Sequence, residues 1–380
     1  MNSKKKLRYA VVGLGHIAQI AVLPAFDHAK ENSELTALIS DDPEKLKEIS
    51  KHYGVENCYS YDQYGEALKS GTFDAVYMAL PNDMHKDYTV GAAKAGIHVL
   101  CEKPMATSEE DCQQMIVAAE KNNIKLMIAY RLHFERTNMK TVESLDLGKI
   151  GVPKLFNSSF TLQVRDGNIR TQKNHGGGPL FDIGVYCINA ARYIFKEEPI
   201  AITALACSGV DARFDEIEES VAVAMKFPGN RLASFVCSFG CHAVSHYEVV
   251  GTTGSICVDP AYEYADETAF EIKGEKHNEK LKTGKRDQFA PELIHFSNCV
   301  LNGEQPRPSG YEGLADLRII EAIKESIATG ETVKLEDGTR SKTNAKSIAG
   351  QTSKPDAELI IEKPKVPKAK LVHAQSGSKD

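Results

Sequence analysis

The strongest constraint on the fold is the alternation of two periods over the first 131 residues, with a glycine turn at the first strand-to-helix junction. Residues 9–12, 35–39, 74–80, 98–101 and 124–129 are short apolar runs of strand length. Between them, residues 17–26, 43–53, 84–95 and 109–122 carry helical patterns. Short apolar runs separated by helices signal βαβ units and a parallel sheet. Right-handed crossovers then give a doubly wound α/β domain, with ligands expected at the carboxyl ends of the strands.

Beyond about residue 150 the texture changes. A helix is expected over 179–195, opened by Gly176-Gly177-Gly178, and is followed by β-rich stretches at 201–206, 220–227, 232–239, 247–250 and 255–258. Gly-containing turns separate these stretches, so they read as one large, open, mostly antiparallel sheet in an α+β domain. Two helices, 290–301 and 311–328, are expected to close it, and the charged stretch 275–286 reads as a solvated hairpin or loop. The expected organisation is therefore a dinucleotide-binding domain over 1–131 and a substrate-binding and oligomerisation domain over 132–338. Residues 339–380 read as a disordered tail, being Ser-, Lys- and Pro-rich with little apolar periodicity.

Charge sharpens that division. The chain's net −6 conceals nine basic and four acidic residues in 339–380, which leaves −11 on the other 338. An acidic body offers no footprint for nucleic acid and no polybasic membrane patch. No apolar run approaches the ~18 residues of a membrane span. The nine cysteines are an odd number, scattered mostly through apolar segments with no C-x-x-C pair, as in a reducing compartment. The Cys237, Cys241, His242 and His246 group has no second ligand pair at metal-site spacing, so no metal is expected. The protein is read as cytoplasmic.

Three segments carry chemistry. Gly13-Leu14-Gly15-His16-Ile17-Ala18 is G-x-G-x-x-A between the first strand and the first helix. Its first glycine permits a tight turn, its second admits a pyrophosphate, and Ala18 allows close helix packing. The helix N-terminus offers free N–H groups to the phosphates. At the end of the second strand Ser40 precedes Asp41 and Asp42. If Ser40 holds the ribose position, no carboxylate opposes a 2′-phosphate and Lys45 neutralises it. If Asp41 folds back, NAD is preferred. The reading leans to NADP, with NAD possible.

Glu102-Lys103-Pro104 follows the strand at 98–101 and places a lysine beside the cleft, whereas its second copy, Glu362-Lys363-Pro364, has no strand–helix context. Pro81, Asn82 and His85 close the preceding strand at the same rim. After the glycine run, Asp182 and Tyr186 stand four apart and so share a helix face.

In this order the three segments resemble the Gfo/Idh/MocA-type oxidoreductases, whose pattern is a glycine motif, an E-K-P turn and a glycine run leading to D-x-G-x-[HY]. The resemblance covers residues 7 to about 337 and is closest in the glucose–fructose oxidoreductase branch, with Tyr186 where inositol dehydrogenases carry His. It implies that Lys103, Asp182 and Tyr186 are catalytic. It also implies that Ser40 and Lys45 meet the NADP 2′-phosphate, and that Gly13, Gly15, His16, Ile17, Tyr61, Pro81, Asn82, His85, Glu102, Lys103 and Arg131 line the cofactor. A homodimer or homotetramer through the second domain's sheet is likewise implied.

That branch has an exported precursor and a long amino-terminal arm, whereas six residues precede the first strand here. Export is not expected, and whether the nucleotide stays bound through a ping-pong cycle is open. Residues 168–175 lack the Trp-Arg often found before the glycine run, which leaves the substrate's identity open.

The expected reaction moves hydride between nicotinamide and a sugar, an aldose or related polyol. Tyrosine, with an ordinary pKa near 10, is a poor base unless a cation favours its phenolate, and Lys103 would supply that charge. Either Lys103 or Tyr186 would make the transfer, with Asp182 holding substrate or Tyr186. A non-catalytic NADP-sensing regulator on the same scaffold and a dehydrogenase of a non-sugar diol are the competing readings.

Overall fold

The computed structural model describes residues 5–264, 266–275 and 278–335. The expected tail at 339–380 lies outside the described residues. The rest forms two compact units: residues 5–131 with 287–314, and residues 132–286 with 315–335.

In the first unit six strands form one parallel sheet: β1 (Leu7–Val12), β2 (Ser33–Ile39), β3 (Asn57–Tyr59), β4 (Ala75–Met78), β5 (His98–Glu102) and β6 (Leu126–Ala129). Their order is β3-β2-β1-β4-β5-β6, so the chain reverses direction across the sheet between β1 and β4. Val11, Val12, Val76, Tyr77, Met78 and Leu100 are wholly buried, which is why these strands read as apolar runs. β3 was not expected. Three residues are too few to show a period, and it is held by pairing with β2 and by Asn57 Nδ2 donating to Thr36 O at 2.9 Å.

Helices connect these strands where their caps permit. Pro43–Tyr53 starts on Asp42, whose carboxylate accepts from the Glu44 and Lys45 amides, and stops at Gly54 with φ +68°. Glu109–Lys121 starts on Ser108, which accepts from Asp111 N, and carries three acids in its first turn.

The helix expected over 290–301 belongs to the first unit and not to the second. It spans Phe289–Asn302, and its Ser297 hydroxyl meets Tyr9 OH at 2.7 Å and Ser33 Oγ at 2.8 Å. Asn32 Nδ2 donates to Ile294 O at 2.9 Å. These polar contacts and the Tyr9–Phe296 ring pair at 6.4 Å seat it beside β1 and β2.

The second unit is built on nine strands: β7 (Pro153–Gln163), β8 (Ala201–Cys207), β9 (Ser220–Phe227), β10 (Arg231–Ser238), β11 (Gly240–Gly251), β12 (Gly254–Val258), β13 (Thr268–Gly274), β14 (Asn278–Thr283) and β15 (Val333–Lys334). Their order is β14-β13-β12-β11-β7-β10-β9-β8-β15, antiparallel throughout except for β7 beside β10. The long strand β7 was missed because Asn157, Ser158 and Ser159 interrupt its apolar run. Ser158 is nevertheless buried, with its hydroxyl 2.6 Å from Tyr262 OH. The charged stretch after residue 275 supplies β14, antiparallel to β13.

One face of this sheet is covered. Arg136–Asp146, also unexpected, packs on β12, β13 and β14, and Val185–Phe195 packs on β7. Every residue of Val185–Phe195 is buried, so the helix is apolar nearly all round.

Candidate functional site

The carboxyl ends of β1 and β4 meet at the reversal point of the first sheet, where open α/β sheets bind ligands. Gly13 leaves β1 with φ +91°, and a Cβ there would lie 2.4 Å from Ala79 O, so only glycine fits between the two strand ends. Gly15 faces the opposite situation. A Cβ there would meet nothing within 4 Å, which leaves room for a ligand to approach the backbone. Ala18 is fully buried and begins a widened, π-type turn over Ala18–Val22, while His16 and Ile17 before it are half-buried.

A cleft of about 920 Å³ opens here, lined by Gly13, Gly15, Ser40, Lys45, Tyr61 and Pro81 among others. The open backbone at Gly15, the helix start beyond it and this volume together fit a dinucleotide. Six of the residues expected at the cofactor thus share one cavity.

The far end of the cleft settles how its acids are disposed. Asp41 turns its Oδ1 onto the Tyr61 amide at 2.7 Å. Asp42 is committed to capping the next helix, and Lys45 Nζ sits 3.6 Å from its Oδ2. Ser40 is buried, with its hydroxyl bonded to the Asp42 amide at 3.3 Å and to Tyr61. Tyr61 packs edge-on to Tyr88 at 5.7 Å, and burial pushes its phenol up. That end of the cleft therefore presents a serine hydroxyl, a lysine and a tyrosine ring.

Residues expected at the nicotinamide end are placed less uniformly. Lys103 is half-buried after β5, and Asn82 is half-buried in the short turn Asn82–Met84. Glu102 accepts from Tyr77 OH at 2.8 Å and from the Lys103 amide at 3.2 Å, and burial raises its carboxyl despite Lys103 and Arg131 nearby.

His85 is wholly buried rather than exposed to a ligand. Its Nδ1 lies 3.0 Å from Pro104 O and its Nε2 2.9 Å from Leu80 O, so it ties the turn after β4 to the one after β5. Burial also pulls its imidazole down toward the neutral form. Arg131 is likewise enclosed, only 4% exposed, with Nη1 donating to Gln288 Oε1 at 2.6 Å. Both side chains, expected to line the cofactor, are thus buried and hydrogen-bonded within the first unit.

In the second unit the glycine run does more than open a helix. Gly178 N donates to Arg170 O at 2.8 Å and Gly177 N to Gln172 O at 3.0 Å. A Cβ on Gly177 would stand 2.5 Å from Arg170 O and 2.6 Å from Gln172 O. The run thus clamps the turn that carries Arg170. Its guanidinium Nε then lies 2.9 Å from Asp182 Oδ2, and the carboxylate, with Tyr264 and Tyr186 behind it, holds the guanidinium firmly charged.

Asp182 sits in a widened, π-type turn, Leu180–Gly184, before the regular helix begins at Val185. Turns of this kind recur at functional sites. Gly184 lets that turn pass close to β10, since a Cβ would lie 3.1 Å from Cys237 Sγ. Tyr186 is 8% exposed, with its ring edge-on to Phe160 at 5.8 Å and tilted to Tyr262 at 6.1 Å. Asp182 and Tyr186 therefore do come together in one unit, to which Arg170, Phe160 and Tyr262 are additions. Arg170 lies in a polar string without periodicity, and only the need of a glycine run for a facing backbone could have signalled it.

Among the described residues no three His, Cys, Asp or Glu side chains are arranged to hold a metal ion, and no helix is long and apolar enough to cross a membrane.

Comparison with known proteins places this geometry in context. The profile of the Gfo/Idh/MocA oxidoreductase family with an NAD-binding Rossmann fold matches residues 7–130, and that of the family's C-terminal domain matches residues 139–257. A D-xylose 1-dehydrogenase [NADP(+)] of Haloarcula marismortui is 30% identical over 342 residues, covering 87% of this chain and 93% of that protein. An aldose–aldose oxidoreductase from Caulobacter crescentus, solved with glycerol, is 36% identical with a TM-score of 0.83, over 87% of this chain and all of that one. A 3-ketoreductase from Actinomadura kijaniata, solved with NADP and TDP-benzene, is 27% identical with a TM-score of 0.77, over 85% and 98%.

Proposed function

The chain belongs to the Gfo/Idh/MocA oxidoreductase family, and from that premise we propose that it moves hydride between NADP and a sugar, an aldose or related polyol. The observation that carries the reading is the Arg170–Asp182–Tyr186 face, held together on a clamped turn that a mere nucleotide sensor has no need of. Relatives named for D-xylose and for aldoses support a sugar as substrate. Coupled oxidation of one sugar and reduction of another, as in glucose–fructose oxidoreductase, is the finer form of the same reading.

NADP is favoured over NAD by the disposition of the ribose end. Asp41 is spent on the Tyr61 amide, which leaves the Ser40 hydroxyl and Lys45 for a 2′-phosphate. The nicotinamide, when bound, supplies the hydride acceptor or donor. Lys103 donates a hydrogen bond to the reacting oxygen. Tyr186 carries the hydroxyl proton, with Lys103 as the other group able to do so. Asp182, steadied by Arg170, accepts from a neighbouring sugar hydroxyl. General acid–base help of this kind contributes about 10²–10⁴-fold.

Two further readings accompany this one. All nine cysteines are free thiols, in keeping with a reducing cytoplasm. The uncovered face of the second sheet exposes Leu155, Leu232, Val236 and Val244, with Leu155 and Leu232 in register, which suits a homodimer or homotetramer formed through that sheet.

Equilibrium titration with each nucleotide tests the cofactor assignment. NADP is expected to bind at least about tenfold tighter than NAD, a difference of ~1.4 kcal/mol. Equal affinities would remove Ser40 and Lys45 from the 2′-phosphate, and binding of neither would end the reading.

A further inference from the structure

Beneath the rim of the first unit lies a carboxyl group that the proposed reaction does not use. Glu292, in the first turn of Phe289–Asn302, is 0% exposed, and neither carboxyl oxygen has a hydrogen-bond partner among the described residues. A buried ionised carboxylate without donors is costly, whereas a buried neutral acid costs far less.

Its surroundings set the charge balance. Glu102 at the end of β5, Arg131 beyond β6 and Asp287 just ahead of the helix are the charged groups that act on it. Asp287 is already engaged, accepting from the Phe289 and Ala290 amides and lying 2.6 Å from His28 Nδ1. Arg131 spends Nη1 on Gln288, the residue just before the helix and four positions ahead of Glu292. Two carboxyls, Glu102 and Glu292, therefore face one buried guanidinium. Glu102 has the Tyr77 hydroxyl and the Lys103 amide to support a negative charge, and Glu292 has no donor among the described residues.

We propose that Glu292 is a positioning residue that retains its proton, so that Glu102 alone carries the negative charge facing Lys103. This rests on the reading of Lys103 as the lysine that meets the substrate. A proton on Glu292 keeps a second negative charge from joining that of Glu102 beside Arg131. Burial pushes the Glu292 carboxyl well above its ordinary range, with Glu102 and Asp287 adding to the push and Arg131 opposing it, in agreement with the geometry.

The test compares the wild-type chain with Glu292→Gln, which mimics the protonated acid. Above the ordinary carboxylate range the unfolded chain releases the Glu292 proton and the folded chain keeps it, so wild-type stability falls as pH rises. The wild-type unfolding constant should therefore grow relative to Glu292→Gln by up to tenfold per pH unit from about pH 5 upward. A ratio that is flat, or that falls with pH, would show Glu292 ionised in the fold and overturn the proposal.

A second readout addresses positioning. The pH at which the unfolding ratio stops growing marks ionisation of Glu292 in the fold, and the ratio of kcat in Glu292→Gln to kcat in wild type should be constant below that pH and climb above it. A ratio that climbs while the unfolding ratio is still growing, or that stays flat beyond its plateau, would leave Glu292 with a packing role alone and defeat the positioning claim. If Glu292→Gln fails to fold, Glu292→Met, neutral and of similar volume, takes its place in the unfolding comparison. Loss of sugar oxidation in every protein, wild type included, would instead refute the enzymatic reading, because the unfolding measurement needs no substrate.

Discussion

Replacing Gly177 with alanine tests whether the glycine run exists to seat Arg170. The added methyl would stand 2.5 Å from Arg170 O and 2.6 Å from Gln172 O, both of them backbone atoms that have no rotamer through which to yield. Real contacts of this kind are nearer 3.4 Å or more, so the turn must move by roughly 1 Å, at a cost of about 1–3 kcal/mol from overpacking. No positive φ is needed at Gly177, so the strain is steric and not conformational. A shift of that size carries the guanidinium away from its 2.9 Å contact with Asp182. Misplacement by about 1 Å costs on the order of 10²-fold in a positioned site.

The assay is nicotinamide absorbance with the best aldose, run beside thermal unfolding. Gly284→Ala is the control, since a methyl there meets nothing within 4 Å and should change stability by less than about 0.5 kcal/mol. Activity in Gly177→Ala within a fewfold of wild type would refute the reasoning, because it would separate the clamp from the site.

Three other outcomes follow from the same structure. Tyr186→Phe removes the hydroxyl while keeping the ring against Phe160 and Tyr262, and should lower kcat at least about 10²-fold with NADP affinity nearly unchanged in a binding titration. Lys45→Glu places an acid at the ribose end and should weaken NADP by at least about tenfold while leaving NAD nearly as before. Asp74, held below the ordinary carboxylate range chiefly by its hydrogen bonds from Arg8, stabilises the fold above that range and loses the contribution as pH falls through its lowered pKa. Because the pair is 40% exposed, Asp74→Asn should cost only about 0.2–1 kcal/mol at neutral pH and nothing at strongly acid pH, as read by chemical unfolding.

The first unit was legible because parallel strands buried on both faces leave apolar runs that no surface pattern dilutes. Asn57–Tyr59 escaped notice for want of length, and β7 because Ser158, buried against Tyr262 OH and His246 O, looks like a loop residue in sequence. The position of Phe289–Asn302 could not be read at all, since sequence order does not say that Ser297 answers Tyr9 and Ser33. Within the candidate site the glycine loop, Ser40 and Lys45 follow from strand ends, which motifs mark well, whereas Tyr61 follows from the family resemblance alone. Burial is another matter. His85 and Arg131 stand where cofactor-lining residues are expected, and only the fold turns their polar atoms inward onto carbonyls and Gln288. Glu292 is a single acid among apolar helix positions, and its significance depends on Glu102 and Arg131, 190 and 161 residues away in sequence.

The central claim is that this chain transfers hydride from a sugar to NADP with Lys103 at the reacting oxygen. The most direct measurement is nicotinamide absorbance after the purified protein is mixed with NADP and each member of an aldose panel, for wild type and Lys103→Met. Reduction of NADP by at least one aldose, lowered about 10²-fold or more in Lys103→Met, is the predicted result. Absence of reduction with every aldose, or equal rates in the two proteins, would contradict it.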